Sequence, residues 1–100
     1  CFDAGHYHVH FDDEFNFELF KDKIFAVHLH DNDKSDDLHL LPFDGTMDWK
    51  YVINKLKECN YNGTVTLELC YRYEYLNMSL DDFYKKGYDV GIKLAEKFED

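Results

Sequence analysis

The sequence predicts an α/β fold built from three parallel βα units. Three short apolar runs are rich in β-branched or aromatic residues, which is typical of strands. Helical patterns lie between and after these runs, and such alternation implies parallel strands joined by right-handed crossovers. With 45% hydrophobic and 18% aromatic residues, the chain has the composition of a globular protein.

The three strands are predicted at the start of the chain, over residues 24–30 and over residues 64–70. The first begins at Cys1 and leads directly into the letters DAGH, and the other two read IFAVHLH and TVTLELC. Each run stops at polar or charged residues, as strands do where they meet a loop. We therefore expect loops with polar side chains at the ends of these strands.

The helical segments have patterns of unequal clarity. Residues 15–22, with the letters FNFELFKD, predict a short helix whose inward side chains are Phe15, Leu19 and Phe20. Residues 48–59 carry apolar side chains at i, i+3, i+4 and i+7, namely Trp49, Val52, Ile53 and Leu56. The last helix opens with a capping-box-like pattern at Ser79 and continues as one apolar stripe of Phe83, Gly87, Val90, Leu94 and Phe98.

Charge and cysteine content limit the class of protein. A formal net charge of -10 argues against nucleic acid as a partner, because phosphate binding draws on clusters of Lys and Arg. The three cysteines form no C-x-x-C pair, which favours reduced thiols over a disulfide framework. No apolar run approaches the roughly 20 residues that span a bilayer. We expect a cytoplasmic protein without a membrane partner.

Three βα units would make an incomplete domain on their own. A parallel sheet is normally covered on both faces, and closure into a barrel takes eight strands in about 250 residues. The isolated piece would expose two sheet edges and an apolar face. We therefore expect amino-terminal strands upstream of Cys1, or another copy of the chain, to cover these surfaces.

Chemically active side chains occur at or near the ends of the predicted strands. Asp3, His28 and Glu68 each belong to a different strand, and the carboxyl ends of neighbouring parallel strands meet at one edge. Carboxylate and imidazole ligands in this mixture suit Zn, Mn, Co or Mg. Glu68 interrupts an apolar strand that we expect to be buried, where an unpaired carboxylate is costly. We therefore expect a divalent metal site with Glu68 in a functional role.

Other polar residues have simpler explanations. His8, His10 and His30 fit hydrogen-bonded structural residues better than metal ligands. Solvated acidic loops account for a further set of carboxylates, Asp12, Asp13, Asp33 and Asp36. Arg72 is the single arginine, and it follows the third strand, where the loops of barrels often bind phosphate. It could contact substrate there, although a surface salt bridge is the more common role.

Four groups of letters follow one another along the chain: FDAGH, VHLHDND, DLH followed by PFDG, and TLE. In this order and spacing they resemble the carboxyl-terminal part of the xylose-isomerase-like TIM barrels. That superfamily contains sugar phosphate isomerases and epimerases together with endonuclease IV. The likeness extends over essentially all of residues 1–100, which would be strands six, seven and eight, with their helices, of a single TIM (β/α)8 barrel domain.

The resemblance implies roles for individual residues. Asp3 and His28 match metal ligands at the ends of two strands. Glu68 matches a metal ligand that also transfers a proton as acid and base in the epimerases. His6 matches a histidine that contacts substrate in the epimerases and a further zinc in the endonucleases.

The resemblance also covers the loop that follows the second strand. Asp37 and His39 match a pair that holds another zinc in the endonucleases and occurs in many isomerase-like members. Phe43 stands in the Pro-Phe-Asp-Gly turn at a position where glycine is common, so the sequence departs from the family there. The strand-five glutamate that completes the isomerase site would lie before residue 1.

These features favour a metal-dependent isomerase or epimerase of a small sugar or sugar phosphate, with proton transfer beside a carbonyl. Two carboxylates would flank the substrate, and Glu68 would be the one that this chain supplies. We therefore expect residues 1–100 alone to be inactive. The closest alternative is endonuclease IV-like, zinc-dependent hydrolysis of DNA at abasic sites. A barrel that binds metal without catalysis is a third.

Overall fold

The computed structural model describes residues 1–11 and 14–99. Asp12 and Asp13, which the sequence predicts to lie in a solvated acidic loop, are outside the described residues. In the described parts, strands and helices follow in the order β1 (Phe2–Asp3), α1 (Ala4–His10), β2 (Val27–His28), α2 (Trp49–Glu58) and α3 (Leu80–Glu99). The predicted α/β alternation is confirmed.

β1 and β2 form a parallel sheet, as the alternation predicts, but the strands are short. The register pairs Phe2 with Val27 and Asp3 with His28. β2 therefore covers only part of residues 24–30, for which a longer strand is predicted. This difference follows from the register. Phe2, the first residue of β1, pairs with Val27, so residues 24 and 25 have no residue of β1 opposite them.

The third predicted strand, residues 64–70, lies beside β2 but makes only one bridge. Leu29 and Leu67 form this bridge, and it is parallel. The amide of Leu29 donates to the carbonyl of Thr66 at 2.8 Å, and the amide of Glu68 donates to the carbonyl of Leu29 at 3.0 Å. The parallel placement is as predicted, whereas the predicted length of regular strand is wrong.

α1 is not predicted from the sequence, because a loop with polar side chains is expected after the first strand. The carboxylate of Asp3 accepts a hydrogen bond from the amide of His6 at 2.8 Å and caps the helix. Ala4, Tyr7 and His8 are buried on its inner face. One aspartate therefore ends β1 and starts α1.

The helix predicted over residues 15–22 is wrong. A four-residue 3₁₀ helix, Phe17–Phe20, occupies this region, and the side chain of Asn16 accepts a hydrogen bond from the amide of its second residue. In this tighter helix Phe17 is the buried side chain, and Phe15 is half-buried. The two other side chains expected to face the core, Leu19 and Phe20, are exposed instead.

α2 is present as predicted. Asp48 caps it by accepting a hydrogen bond from the amide of Tyr51 at 3.0 Å. The four apolar residues of the predicted stripe, Trp49, Val52, Ile53 and Leu56, are all buried.

α3 also begins where the sequence indicates, because Oγ of Ser79 accepts a hydrogen bond from the amide of Asp82 at 3.1 Å. Three residues of its predicted stripe are buried, Phe83, Gly87 and Leu94. The other two, Val90 and Phe98, are partly buried against the hydrophobic core that includes Leu29, Ile53 and Leu94. Among the described residues, none of the helices could span a membrane.

An apolar groove lies between α3 and the outer side of residues 65–71. Its volume is about 550 Å³, and leucines of the third extended segment line one wall. On the helix side, Tyr84, Tyr88 and Ile92 line the groove and are exposed. This is the kind of uncovered apolar face that three isolated βα units are expected to have.

Candidate metal centre

Three of the predicted ligands come together at the carboxyl ends of the extended segments. Asp3 ends β1, His28 ends β2, and Glu68 lies in the third segment. Each of them offers one ligand atom, and these atoms all lie within 4.8 Å of one another. Nδ1 of His28 is 2.9 Å from Oε2 of Glu68. The fold thus gathers two carboxylates and one imidazole from remote parts of the chain.

Asp3 is held by hydrogen bonds to one of its two carboxylate oxygens. Oδ1 accepts from the amide of His6 and from Nε2–H of His30, each at 2.8 Å. Burial raises the pKa of Asp3, but the hydrogen bonds from His30 and the His6 amide, together with the charges of both imidazoles, outweigh burial and lower the pKa to about 2. Asp3 is therefore ionised at neutral pH, as a metal-binding carboxylate must be.

Glu68 lies in a more open environment than the sequence predicts. Its side chain is 41% exposed, so the expectation of a carboxylate inside a buried strand is wrong. The reason is that β2 flanks the third segment on one side, while no described strand pairs with its other edge. Glu68 is instead distinguished by its neighbours, since Oε2 faces His28 and Oε1 lies 3.6 Å from Nδ1 of His39.

A second cluster contains the other predicted ligands, His6, Asp37 and His39. Oδ2 of Asp37 accepts from Nε2–H of His6 at 3.1 Å and from Nε2–H of His39 at 3.2 Å. Nδ1 of His39 is also 3.0 Å from the carbonyl oxygen of Glu68. Both ring nitrogens of His39 therefore face acceptors, although a neutral imidazole donates from only one nitrogen.

His39 occupies this place at some cost in backbone conformation. Its φ of 54° lies in the left-handed region, which non-glycine residues rarely adopt. Strain of this kind, about 1–3 kcal/mol, persists where the surroundings fix the residue, and it is concentrated at functional sites.

His30 lies between the two clusters and is completely buried. Its Nε2–H donates to Asp3, and its Nδ1 has no hydrogen-bond partner among the described residues. Oδ1 of Asp37 is likewise buried without a partner in that part of the chain and lies 3.7 Å from this nitrogen. His30 is hydrogen-bonded, as the sequence indicates, but it stands at the centre of the site.

A missed signal could have assigned His30 to this site. In a strand, residues at i and i+2 point to the same side, and His30 is at i+2 from His28. A histidine next but one to a predicted ligand is therefore a candidate for the same site.

Three further ligand atoms lie within 4.8 Å of one another, from His30, His39 and Glu68. The two imidazole rings are stacked, however, with centroids 4.1 Å apart and an interplanar angle of 3°. The lone pair of an imidazole nitrogen lies in the plane of its ring, so one ion cannot lie in the planes of two parallel stacked rings. The set of Asp3, His28 and Glu68 contains a single imidazole and is free of this conflict.

Arg72 connects the loop after the third segment to the second cluster. Its Nη2 donates to the carbonyls of Asp37 at 3.1 Å and Leu38 at 3.4 Å. The guanidinium carbon lies 4.8 Å from the ring centroid of Tyr73. These contacts differ from the surface salt bridge weighed for Arg72, because its partners are backbone carbonyls beside a predicted ligand.

Asp31 is a buried carboxylate for which the sequence predicts no role. Its Oδ1 accepts from the amides of Asn32 at 2.8 Å and Met47 at 3.2 Å. Its Oδ2 accepts from the amide of Phe43 at 3.1 Å and from Nε1–H of Trp49 at 2.8 Å. With these donors on both oxygens, Asp31 holds the loop between β2 and α2 together.

Residues given structural or solvent-exposed roles mostly behave as expected. His8 is buried and its Nε2 is 2.8 Å from Oγ1 of Thr46. His10 is exposed, and its ring packs against the ring of His6 with centroids 5.6 Å apart. Asp33 and Asp36 are exposed, as expected for a solvated acidic loop.

Comparison with known proteins gives one family match and two uncharacterized relatives. Residues 1–94 match the family described as xylose isomerase-like TIM barrel. The chain is 31% identical over 98 residues to an uncharacterized protein, y4fM, of Sinorhizobium fredii, a match that covers 96% of this chain and 30% of that protein. It is 42% identical over 45 residues to an uncharacterized protein, MJ1311, of Methanocaldococcus jannaschii, with 45% of this chain and 15% of that protein covered.

These matches also bear on the extent of the chain. The chain spans 30% of the length of the Sinorhizobium relative and thus less than a third of it. No solved structure matches the chain.

Proposed function

Because the chain belongs to the xylose isomerase-like TIM barrel family, we propose that it contributes a divalent metal site to an isomerase or epimerase of a small sugar or sugar phosphate. The observation that carries this proposal is the convergence of Asp3, His28 and Glu68, whose ligand atoms lie within 4.8 Å of one another. The three residues belong to three neighbouring extended segments at the edge where barrel enzymes have their active sites.

The donor set fits a divalent ion. Bonds of about 2.0–2.2 Å to nitrogen and oxygen place neighbouring ligand atoms roughly 3 Å apart, and the 2.9 Å between His28 and Glu68 is close to that spacing. The oxygen Oδ2 of Asp3 is free of hydrogen bonds to the described residues, so it can face the same ion. Two carboxylates and one imidazole suit Zn, Mn, Co or Mg and leave positions for substrate oxygens.

Glu68 is the residue that we assign to proton transfer. A divalent ion bound beside it would polarise the substrate oxygens and lower the cost of removing the neighbouring proton. Glu68 would take this proton from one carbon and return it to the product, because a half-exposed carboxylate next to His28 is both accessible and oriented. The second carboxylate of the reaction would come from a part of the protein outside residues 1–100.

Two residues are proposed to contact the substrate. His6 is half-exposed at 50% and lies next to Asp3, with Nδ1 3.6 Å from Oδ2, so its ring borders the proposed metal site. Arg72 uses Nη2 for the loop carbonyls and its Nε is buried, so Nη1 is the group that would bind the phosphate of a sugar phosphate.

We further propose that residues 1–100 form strands six to eight and their helices in a (β/α)8 barrel of the natural protein. The uncovered apolar groove beside α3 and residues 65–71 supports this arrangement, because a further βα unit would bury its exposed tyrosines. A relative of which the chain spans only 30% leaves room for such units outside residues 1–100. A second copy of the chain is the alternative cover, and light scattering of residues 1–100 and of the natural protein would distinguish the two.

The test of the proposed function is a Glu68→Gln variant of the natural protein. It is assayed for isomerisation and epimerisation of sugars and sugar phosphates in the presence of Zn, Mn, Co or Mg. Loss of a general acid and base lowers turnover by about 100- to 10,000-fold, and the variant keeps the size and hydrogen-bonding reach of the side chain. We expect activity to disappear while the circular dichroism spectrum and the melting temperature stay the same. Retained turnover would remove Glu68 from the mechanism.

Hydrolysis of abasic DNA by a zinc cluster is the second candidate, and the cluster of His6, Asp37 and His39 favours it. The two acceptors that face the ring of His39 exceed what a neutral imidazole satisfies, and a cation between His39 and Asp37 would remove this mismatch. The net charge of -10 argues against a nucleic-acid substrate for this part of the protein. Incubation of the natural protein with abasic duplex DNA decides, since efficient cleavage would exclude the sugar hypothesis.

A barrel that binds metal without catalysis is the third candidate. It has the same ligands, so metal content cannot separate it from an enzyme. An active natural protein in either assay excludes it, whereas metal analysis that finds no ion in the natural protein contradicts all three candidates.

A further inference from the structure

We propose that His30 is a positioning residue that sets the orientation of the Asp3 carboxylate, an inference that rests on the metal site proposed above. His30 is completely buried, and its Nε2 is 2.8 Å from Oδ1 of Asp3. A carboxylate at this distance can only accept, so Nε2 carries the hydrogen and donates it. His30 thus binds a ligand residue without being assigned as a ligand itself.

The effect of this hydrogen bond is to select one oxygen of Asp3 for the ion. Oδ1 already accepts from the amide of His6, and the bond from His30 gives it a second donor. Rotation of the carboxylate would break both bonds, so Oδ2 stays the oxygen that is available to an ion. A ligand oxygen that is fixed before binding loses less entropy when the ion arrives.

The glycine of the DAGH motif has a role in this arrangement. A Cβ added to Gly5 would lie 2.0 Å from Cε1 and 2.3 Å from Nδ1 of His30, far closer than real contacts allow. Gly5 does not have a positive φ, so space rather than backbone conformation requires a glycine. Residue 5 therefore makes room for the imidazole of His30.

His30 also connects the two clusters. Its ring stacks on the ring of His39 at 4.1 Å, while its Nε2–H holds Asp3. The parallel stacking excludes a shared ion for the two rings, so His30 acts through its neighbours. Because it touches one ligand of the proposed site and one residue of the second cluster, a change at position 30 should alter metal affinity more than it alters the fold.

Direct titration of the natural protein with cobalt(II) tests this role, because cobalt reports affinity by calorimetry and ligand geometry by its visible d–d absorption. His30→Leu removes the donor, whereas His30→Gln retains an amide N–H that can reach Asp3. Loss of such an orienting partner costs about 10- to 100-fold in metal affinity, so we expect that loss for His30→Leu and recovery of most of it for His30→Gln. The d–d spectrum at saturation should be unchanged in both.

The matched control is His8→Gln, because His8 is equally buried and hydrogen-bonds Thr46 rather than a proposed ligand. We expect its cobalt affinity to equal that of the wild-type protein. Gly5→Ala should lower the cobalt affinity as His30→Leu does. A variant with both substitutions should bind cobalt no more weakly than His30→Leu alone, because both substitutions act through the ring of His30.

The outcomes separate the two proposals. A wild-type protein that binds no cobalt overturns the proposed metal site and this inference with it. A wild-type protein that binds cobalt, with an unchanged affinity in His30→Leu, overturns the positioning role alone. An altered d–d spectrum in His30→Leu also overturns it, because His30 would then be a ligand.

A measurement on the wild-type protein covers the case in which His30→Leu does not fold. Long-range proton–nitrogen NMR correlation identifies which ring nitrogen of a histidine carries hydrogen. We expect Nε2 of His30 to be protonated in the metal-free protein and in the zinc(II) form, in which diamagnetic zinc replaces cobalt. An unprotonated Nε2 would overturn the inference, because it could not donate to Asp3.

Discussion

Asp3 and Asp31 are both aspartates at or near the end of a strand, yet their carboxylates have opposite environments. Asp31 is fully buried, and both of its oxygens accept hydrogen bonds from the loop after β2 or from Trp49 at the start of α2. Asp3 is partly exposed and receives its hydrogen bonds on Oδ1, so Oδ2 is open. Asp3 therefore has a carboxylate oxygen left to bind a cation, whereas Asp31 has none.

The largest effect on stability is expected for Asp31→Asn. An amide in place of the carboxylate points an NH₂ group at two of the four donors in either orientation, and these buried donors lose their acceptor. Each unsatisfied group costs about 1–3 kcal/mol, so the free energy of unfolding should fall by about 2–6 kcal/mol. Urea unfolding of the natural protein measures this loss. Cobalt affinity of the folded variant should stay within about threefold of wild type.

Asp3→Asn is the matched substitution at the other carboxylate, and it should show the reverse pattern. Oδ1 of asparagine can still accept from the amide of His6 and from His30, so the cap of α1 is retained. The charged ligand oxygen is lost, and metal affinity should fall by more than about 100-fold, or about 2.7 kcal/mol. Without metal, the free energy of unfolding in urea should fall by at most about 2 kcal/mol and by less than in Asp31→Asn, because the hydrogen bonds and imidazole charges that lower the pKa of Asp3 favour its charged form in the folded state. Equal losses of stability in both variants would invalidate the comparison.

The sequence predicts the frame of this site because the frame depends on local patterns. Apolar spacing identifies α2 and α3, and alternation identifies the parallel arrangement that carries Asp3, His28 and Glu68 to one edge. These features repeat over many residues, so a single unusual side chain does not obscure them.

The rest of the site depends on single contacts that have no periodic pattern. α1 is missed because one hydrogen bond from the His6 amide to Asp3 starts it within a run of histidines. Asp31 reads as one more acidic loop residue, since its four donors come from residues 32–49 and converge only after the loop has folded. The exposure of Glu68 is set by the neighbours of its segment in space, which its own letters do not specify.

Tyr75 tests the same loop at a second, weaker attachment. Its buried O–H donates to Oδ2 of Asp44 at 2.7 Å and accepts from the amide of Leu41 at 2.8 Å. Tyr75→Phe removes one hydrogen bond to a charged group and leaves the buried amide unpaired, so the free energy of unfolding should fall by about 1–2 kcal/mol. Unchanged metal affinity would show that this attachment, like Asp31, contributes to stability and not to the metal site. A large loss of affinity would show that the two regions are coupled.

The pH dependence of stability gives a second readout at Tyr75. Burial, reinforced by the hydrogen bond to Asp44, raises the pKa of Tyr75 above its ordinary value of 10.0. A raised pKa in the folded state stabilises the protein below the unfolded pKa, and this contribution is lost as pH rises beyond about 10. The free energy of unfolding in urea should therefore fall less steeply between neutral and alkaline pH in Tyr75→Phe than in the wild-type protein. Some slope should remain, because burial also raises the pKa of Tyr61.

The smallest effect concerns Phe43, which replaces the glycine common at this turn and has a φ of 79°. Its ring lies below Nζ of Lys93, 4.5 Å from the centroid, so a simple replacement would mix lost contacts with relieved strain. Comparison of Phe43→Gly with Phe43→Ala separates them, because both remove the ring and only glycine adopts this φ freely. The glycine variant should be more stable than the alanine variant by about 1 kcal/mol, the reverse of their order in a helix. An alanine variant of equal or greater stability would show that the backbone at Phe43 is unstrained. Equal cobalt affinities in the two variants would show that strain at Phe43 affects the stability of the loop that Asp31 holds and does not affect the proposed metal site at Asp3.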